Sequence, residues 1–191
     1  MLDLWEVQRY GTDSYGDADY VSIYGLAPSE WYRKGIRLLG RTAVECTRDR
    51  LADAMGRDIA AVANSGHRAS GSTVVDLFVG SGNTLFWMLR HLTESRGVGF
   101  ELDNQVFQLT RQNLSILGMP AEIHHEDYAK VALRLSLAAD QLLIAFVAPP
   151  WGEAFTNASH YALRSTSPAT PAVAVHLFDT LPIRCLFAIQ S

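Results

Sequence analysis

Only two cysteines, Cys46 and Cys185, occur in the 191 residues. That excludes a disulfide framework and a cysteine-based metal cluster, so each reads as a small apolar side chain suited to a reducing compartment. No run approaches the ~20 uninterrupted apolar residues that a membrane-spanning helix needs. The start, MLDLWEVQRYGTD, is acidic and lacks the basic segment of a secretory signal, so a cytoplasmic location without membrane attachment is expected. An excess of basic charge is missing too. The formal charge is -4 and the pI near 5.8, which argues against coating of a long polyanion and favours a small or locally gripped substrate. Internal repeats and low-complexity tracts are likewise absent.

Basic residues do concentrate in one segment: Arg33, Lys34, Arg37, Arg41, Arg48, Arg50 and Arg57. They make either a local phosphate-facing patch or a solvated helix face, since Glu45, Asp49, Asp53 and Asp58 are interleaved at pairing distance along a helix. Apolar residues make up 48% of the chain, enough for one substantial core. The oligomeric state is not legible at this level.

Along the chain, the first ~28 residues show no sustained period and read as loop with at most one short strand. From Ser29, a plausible N-cap, a long helical run follows. Leu38, Val44, Leu51 and Met55 are its candidate buried positions, and Gly35 and Gly40 permit a break near its start. The small-residue stretch NSGHRASGS, residues 64–72, then separates an N-terminal loop and helical extension, 1–70, from a second unit, 71–191. In that unit strands alternate with helices. Thr73–Val79, Gly97–Leu102, Ala121–His125, Gln141–Val147 and the terminal IRCLFAI read as strands. Helices are expected after residue 82, with Leu85, Met88, Leu89 and Leu92 on one face, and over Asn104–Leu117, Tyr128–Ala139 and Ala172–Leu181. Such alternation implies an α/β fold with a mostly parallel twisted sheet, right-handed crossovers and helices on both faces.

The richest segment is VVDLFVGSGNT, residues 74–84, a buried strand ending in a glycine turn that opens a helix. Gly80 and Gly82 are needed where a Cβ would obstruct the turn or a ligand, and the helix N-terminus offers free N–H groups. A dinucleotide fingerprint would want glycine at 85, where Leu85 stands. Asp76 sits near the carboxyl end of the strand. The segment resembles motif I of the class I S-adenosylmethionine-dependent methyltransferases, whose D-x-F-x-G-x-G-x-T pattern is met by Asp76, Phe78, Gly80, Gly82 and Thr84. The resemblance implies a Rossmann-like fold, with S-adenosyl-L-methionine as cofactor and its methionine ammonium near Asp76. It also implies that Glu101, in GVGFELD, accepts hydrogen bonds from the ribose hydroxyls. Asp127, in HHEDY, takes the adenine amino group, with Glu126 as the alternative. His124 and His125 read as sheet residues, no further His or Cys completes a metal set, and no metal is expected.

At the end of the fourth strand stands FVAPPWGEAF, on the edge where open α/β sheets bind ligands. It resembles motif IV of the amino-methyltransferases, and its Pro-Pro-Trp-Gly form is most like the RNA cap guanine-N2 methyltransferases (trimethylguanosine synthases), with the small ribosomal RNA guanine-N2 methyltransferases as cousins. The implied catalytic set is Ala148, Pro149, Pro150 and Trp151, with Trp151 stacking on a base and backbone carbonyls facing its amine. Ala148 departs from the family, which carries an acceptor side chain there. Upstream, DYVSIYGLAPSEW resembles the aromatic substrate-contacting segment of the cap-methylating enzymes. Tyr20, Tyr24 and Trp31 are then expected either in a base pocket or in a cluster pinning the N-terminal arm. The strand pair that normally closes the family sheet has no counterpart, which leaves a shortened member or a fragment. The expected activity is methyl transfer to an exocyclic purine amine, in RNA rather than DNA. Methylation of a small molecule or protein, and a catalytically inactive binding protein, are the alternatives.

Overall fold

The computed structural model describes residues 1–66, 71–135, 141–151, 163–181 and 184–190. Its centre is a five-stranded sheet built from β1 (Thr73–Asp76), β2 (Arg96–Glu101), β3 (Ala121–His125), β4 (Leu143–Val147) and β5 (Cys185–Ile189). All neighbours are parallel, in the order β3-β2-β1-β4-β5. Every residue of β1 and β4 is buried, because central parallel strands are covered on both faces and near-continuous apolar sequence is what that burial selects. Side chains alternate between two cores. Val74, Ile144 and Phe146 join one, while Val75, Leu77, Leu143, Ala145 and Val147 join the other.

The helices are α1 (Leu4–Tyr15), α2 (Pro28–Arg33), α3 (Gly40–Glu45), α4 (Asp49–Gly66), α5 (Asn83–His91), α6 (Asn104–Ile116), α7 (Val131–Arg134) and α8 (Thr170–Thr180). Leu85, Met88, Leu89 and Leu92 point inward from α5 and its end, as the period predicts, and share the first core with residues of α4 and the N-terminal segment. Val131 of α7 and Val173 and Leu177 of α8 fill the second core. The arrangement is a Rossmann-like α/β fold with helices on both faces. A 3-10 turn, Tyr128–Lys130, precedes α7, so the single helix expected over Tyr128–Ala139 is broken at its start. Its last four positions lie outside the described residues, as do Ile183 of the expected fifth strand and 67–70 of the linker. Among the described residues no helix is long and apolar enough to cross a membrane.

The N-terminal segment corrects two expectations. Residues 4–15 are helix, not loop: the Glu6 carboxylate accepts the Asp3 N–H at 2.8 Å, and Val7 and Gly11 face the core. The period is hard to see because one inward position is glycine and Trp5 is 60% exposed, so the apolar stripe is thin. The long run from Ser29 is three helices rather than one. Ala27 caps α2 with Pro28 at its first position, Gly35 turns the chain at φ +89°, and residues 46–48 interrupt it again. Each interruption resets the helical phase. Leu38 is accordingly buried and Met55 half-buried, while Val44 and Leu51 stand exposed.

One residue inside the glycine motif ties these helices to the sheet domain. The Asn83 carboxamide accepts the Tyr24 N–H at 2.7 Å and donates to the Thr47 carbonyl at 2.8 Å. Asp49 adds a second tie, accepting from the Gly25 N–H at 2.9 Å and from the Trp87 indole at 2.7 Å. Removing a buried carboxamide strands both of its partners, at about 1–3 kcal/mol together with the lost bonds. Asn83→Ala is therefore expected to lower the melting temperature by roughly 2–12 °C, read by circular dichroism. An unchanged midpoint would show that the extension is held without this tie.

Candidate active site

Strand order reverses direction between β1 and β4: the chain steps outward from β1 to β2 and β3, then crosses back to β4. At such a switch point the loops leaving adjacent strands part, and a crevice opens at their carboxyl ends. A cavity of about 270 Å³ lies there. Asp76, Phe78, Gly80, Thr84, Glu101, Asp127, Ala148, Pro149, Pro150 and Trp151 all line it. Four segments spread over 76 residues, from 76 to 151, thus converge on one space.

Asp76 ends β1 with 2% of its surface exposed. Burial pushes its carboxyl up to about 7, with a further rise from nearby Glu101, against the Phe78 N–H that donates to it at 3.1 Å. No Lys or Arg among the described residues pairs with it. A buried carboxylate without a cation is costly, and a ligand ammonium is the group that would relieve it.

Glu101, at the end of β2, accepts the Gly80 N–H at 3.1 Å and the Asp103 N–H at 2.9 Å, and burial raises its pKa. The glycine turn is held from outside as well. The Thr110 hydroxyl donates to the Gly80 carbonyl, and the buried Tyr24 hydroxyl donates to the Ser81 carbonyl. The two motif glycines do different work. Gly80, at φ +49°, would bring a Cβ no closer than 3.8 Å, to the Phe78 carbonyl oxygen, so its backbone conformation rather than crowding favours glycine. Gly82, at φ +77°, does not line the cavity, and a Cβ there would lie 3.0 Å from the Thr110 methyl and 3.3 Å from Leu114 of α6. Position 82 is therefore constrained by backbone conformation and helix packing rather than by contact with a ligand.

Asp127 is exposed at the rim, its Oδ1 accepting the Ala129 N–H at 2.8 Å. Its neighbour Glu126 also lines the cavity, but the Arg134 guanidinium holds both of its oxygens and keeps its carboxyl below the usual range. On the opposite wall Ala148 and Trp151 are half-buried and Pro149 buried, and the Pro150 carbonyl accepts the Ser167 N–H at 3.0 Å.

The upstream aromatics are elsewhere. Trp31 is fully enclosed in the first core, its indole N–H donating to the Val21 carbonyl at 3.0 Å, so the expectation of a base-pocket residue is corrected to a packing one. Tyr20 does not line the cavity either. Its ring stacks on Tyr15, with the Arg48 guanidinium 3.8 Å from its centroid. The basic segment is largely engaged in the same local fashion. Arg57 pairs with Asp53, Arg37 lies over Tyr32 at 3.7 Å, and Arg41 reaches Glu45 at 3.6 Å and Asp103 at 3.7 Å.

Sequence reasoning missed the wall contributed by the extension, where Arg41, Glu45, Cys46 and Thr47 face the cavity, and missed Tyr128 and Gln190. The first group carries no motif and becomes visible only when Asn83 folds the extension over the crevice. Gln190 had one signal: it immediately follows an apolar strand, where parallel sheets present ligand-facing residues.

No protein-family model and no curated protein matches the sequence. Among solved structures, the chain is similar to a type I restriction-modification system methyltransferase subunit from Streptococcus thermophilus, at 17% identity and a TM-score of 0.48. The match covers 75% of this chain and 34% of that one, so the chain spans about a third of that subunit's length. It is also similar to an rRNA methylase from Streptococcus thermophilus, at 20% identity and a TM-score of 0.44, covering 72% of this chain and 69% of that one.

Proposed function

We propose that this chain is an S-adenosylmethionine-dependent methyltransferase acting on an exocyclic amine of a purine in RNA. One observation carries the reading: Asp76, Phe78, Gly80 and Thr84 of the D-x-F-x-G-x-G-x-T segment, Glu101, Asp127 and the Pro-Pro-Trp segment all face a single cavity at the switch point of the sheet. Asp76, buried and lacking a cation, suits the methionine ammonium. Glu101 suits the ribose hydroxyls, Asp127 the adenine amine, and the space beside Gly80 the methionine portion between them. The cofactor would supply an electrophilic methyl group on a sulfonium.

The remaining work falls to the protein. An exocyclic amine donates poorly because its lone pair is delocalised into the ring. Trp151 stacks on the base and fixes its plane, while acceptors on the amine N–H bonds localise the lone pair along the line of attack. The stiff Pro149–Pro150 backbone holds that wall in place, so orientation supplies most of the acceleration. With the cofactor bound, transfer would be a direct displacement in which the amine nitrogen takes the methyl group in exchange for a proton that it sheds to water.

A second reading, methylation of a small molecule or a protein side chain, draws on the pairing of Arg41, the arginine that lines the cavity, with Glu45 and Asp103 and on the net charge of -4. Incubation with methyl-labelled cofactor and, in parallel, total RNA, a protein extract and a metabolite extract separates the two. Label is expected in RNA; label in either other pool favours the second reading. Calorimetry with S-adenosylhomocysteine tests both together, and a protein that binds none of it is not a methyltransferase of this kind.

A further inference from the structure

Ala148 leaves the substrate wall without a side-chain acceptor at the end of β4, and the neighbouring strand carries one. β4 and β5 run parallel with Val147 opposite Ile189. Gln190 stands one residue past that last registered pair, level with Ala148, and its N–H donates to the Val147 carbonyl at 3.2 Å, which carries the ladder through the step. The Gln190 side chain is half-buried and lines the same cavity as Ala148, Pro149 and Trp151. It does not sample that space freely, because the Thr47 hydroxyl donates to its Oε1 at 3.3 Å. Thr47 is itself anchored by Asn83, which donates to its carbonyl. The glycine-motif helix, the extension and the last strand are thereby linked in one chain of hydrogen bonds ending at a carboxamide oxygen.

That oxygen has two lone pairs. Thr47 takes one, and the other is available to an N–H within the cavity. We infer that Gln190, held by Thr47, is the acceptor for the substrate's exocyclic amine, displaced by one strand from position 148. The inference rests on the amino-methyltransferase reading and deepens it. A carboxamide takes no proton at neutral pH, so its role is to orient the amine and localise its lone pair, and the proton released on transfer goes to water. It also makes the site selective for bases that carry an amine: with no N–H to offer, a ligand leaves the oxygen's second lone pair desolvated and unmatched.

The test uses the full chain with S-adenosylhomocysteine present and two pairs of nucleosides whose members differ only by the amine: guanosine against inosine, and adenosine against purine riboside. Affinities are measured calorimetrically. The parent protein is expected to bind the amine-bearing member of one pair roughly 3- to 10-fold more tightly, as one hydrogen bond allows. Gln190→Leu, similar in size but without an acceptor, should bind both members equally, while Gln190→Glu should keep the preference. Ala148→Asn placed on the Gln190→Leu background should restore it, which a merely structural role for Gln190 would not produce. A preference that survives in Gln190→Leu, or no preference in the parent, overturns the inference. Failure of the parent to bind S-adenosylhomocysteine sinks the methyltransferase reading instead, and the nucleoside preference, measured also without that compound, still decides whether Gln190 reads the amine.

Discussion

At pH 8 the Asp76→Asn protein is expected to melt at a higher temperature than its parent and to bind S-adenosylhomocysteine roughly 10- to 100-fold more weakly. The first effect follows from burial. The Asp76 carboxyl is pushed up from 3.8 to about 7 in the folded chain, chiefly by loss of water and further by nearby Glu101. A raised folded pKa means that the folded state holds its proton more tightly than the unfolded one. The associated stability is complete below about pH 4 and is lost as pH rises through about 7. The full loss is on the order of 4 kcal/mol at 1.36 kcal/mol per pH unit. Asparagine keeps an oxygen for the Phe78 N–H and never ionises. The two proteins should therefore melt together near pH 4 and separate by several degrees at pH 8. The second effect has the same origin with the opposite benefit, because a ligand ammonium needs the ionised carboxylate that destabilises the free protein. In the parent, affinity should fall up to about tenfold per pH unit below pH 7, with uptake of the ligand releasing up to one proton at pH 6, and Asp76→Asn should flatten that profile. A variant that melts below the parent at pH 8 would show that Asp76 is already neutralised by the protein and is not waiting for a cation.

That opposition between stability and ligand binding explains which parts of the molecule were legible in the sequence. The central strands β1 and β4 declare themselves through near-continuous apolar runs, since burial on both faces leaves little room for polar residues, and the glycine turn declares itself through Gly80 and Gly82, both of which adopt positive φ angles. Asp76 stands out because a carboxylate in the middle of such a run has no structural reason to be there. The N-terminal helices were read poorly for the converse reason. Their inward faces are short, one of them includes Gly11, and their phase is reset twice within 15 residues, from 34 to 48, so no window holds enough turns to reveal a period. Trp31 shows the limit of composition as a guide: an indole in an aromatic stretch suits a base pocket and a core equally well, and only the Val21 carbonyl on its N–H distinguishes them. The pairing of Gln190 with Thr47 was not legible because it spans 143 residues and depends on the β4–β5 register, which no local pattern encodes.

Trp151→Ala is expected to reduce kcat/KM on the proposed RNA substrate by roughly 10- to 100-fold, the equivalent of about 1–3 kcal/mol of base stacking, while the affinity for S-adenosylhomocysteine stays within about twofold. The separation follows from position. Trp151 lies on the wall formed by the end of β4, whereas buried Asp76 and half-buried Glu101, the carboxylates proposed to hold the cofactor, end β1 and β2. Its half-buried indole contrasts with that of Trp31, whose full burial makes any truncation a stability change. Loss of stacking should appear in KM and kcat together, because a base free to rotate both binds more weakly and presents its amine off the line of attack. Trp151→Phe keeps an aromatic face and should retain most of the activity, whereas Trp151→Leu keeps apolar bulk without a π-face and should behave like the alanine variant. Equal loss of cofactor affinity and turnover in Trp151→Ala would mean that the indole supports the cavity rather than the base. In that event the substrate wall would have to be sought among Thr47, Gln190 and the residues of α3, which line the same cavity.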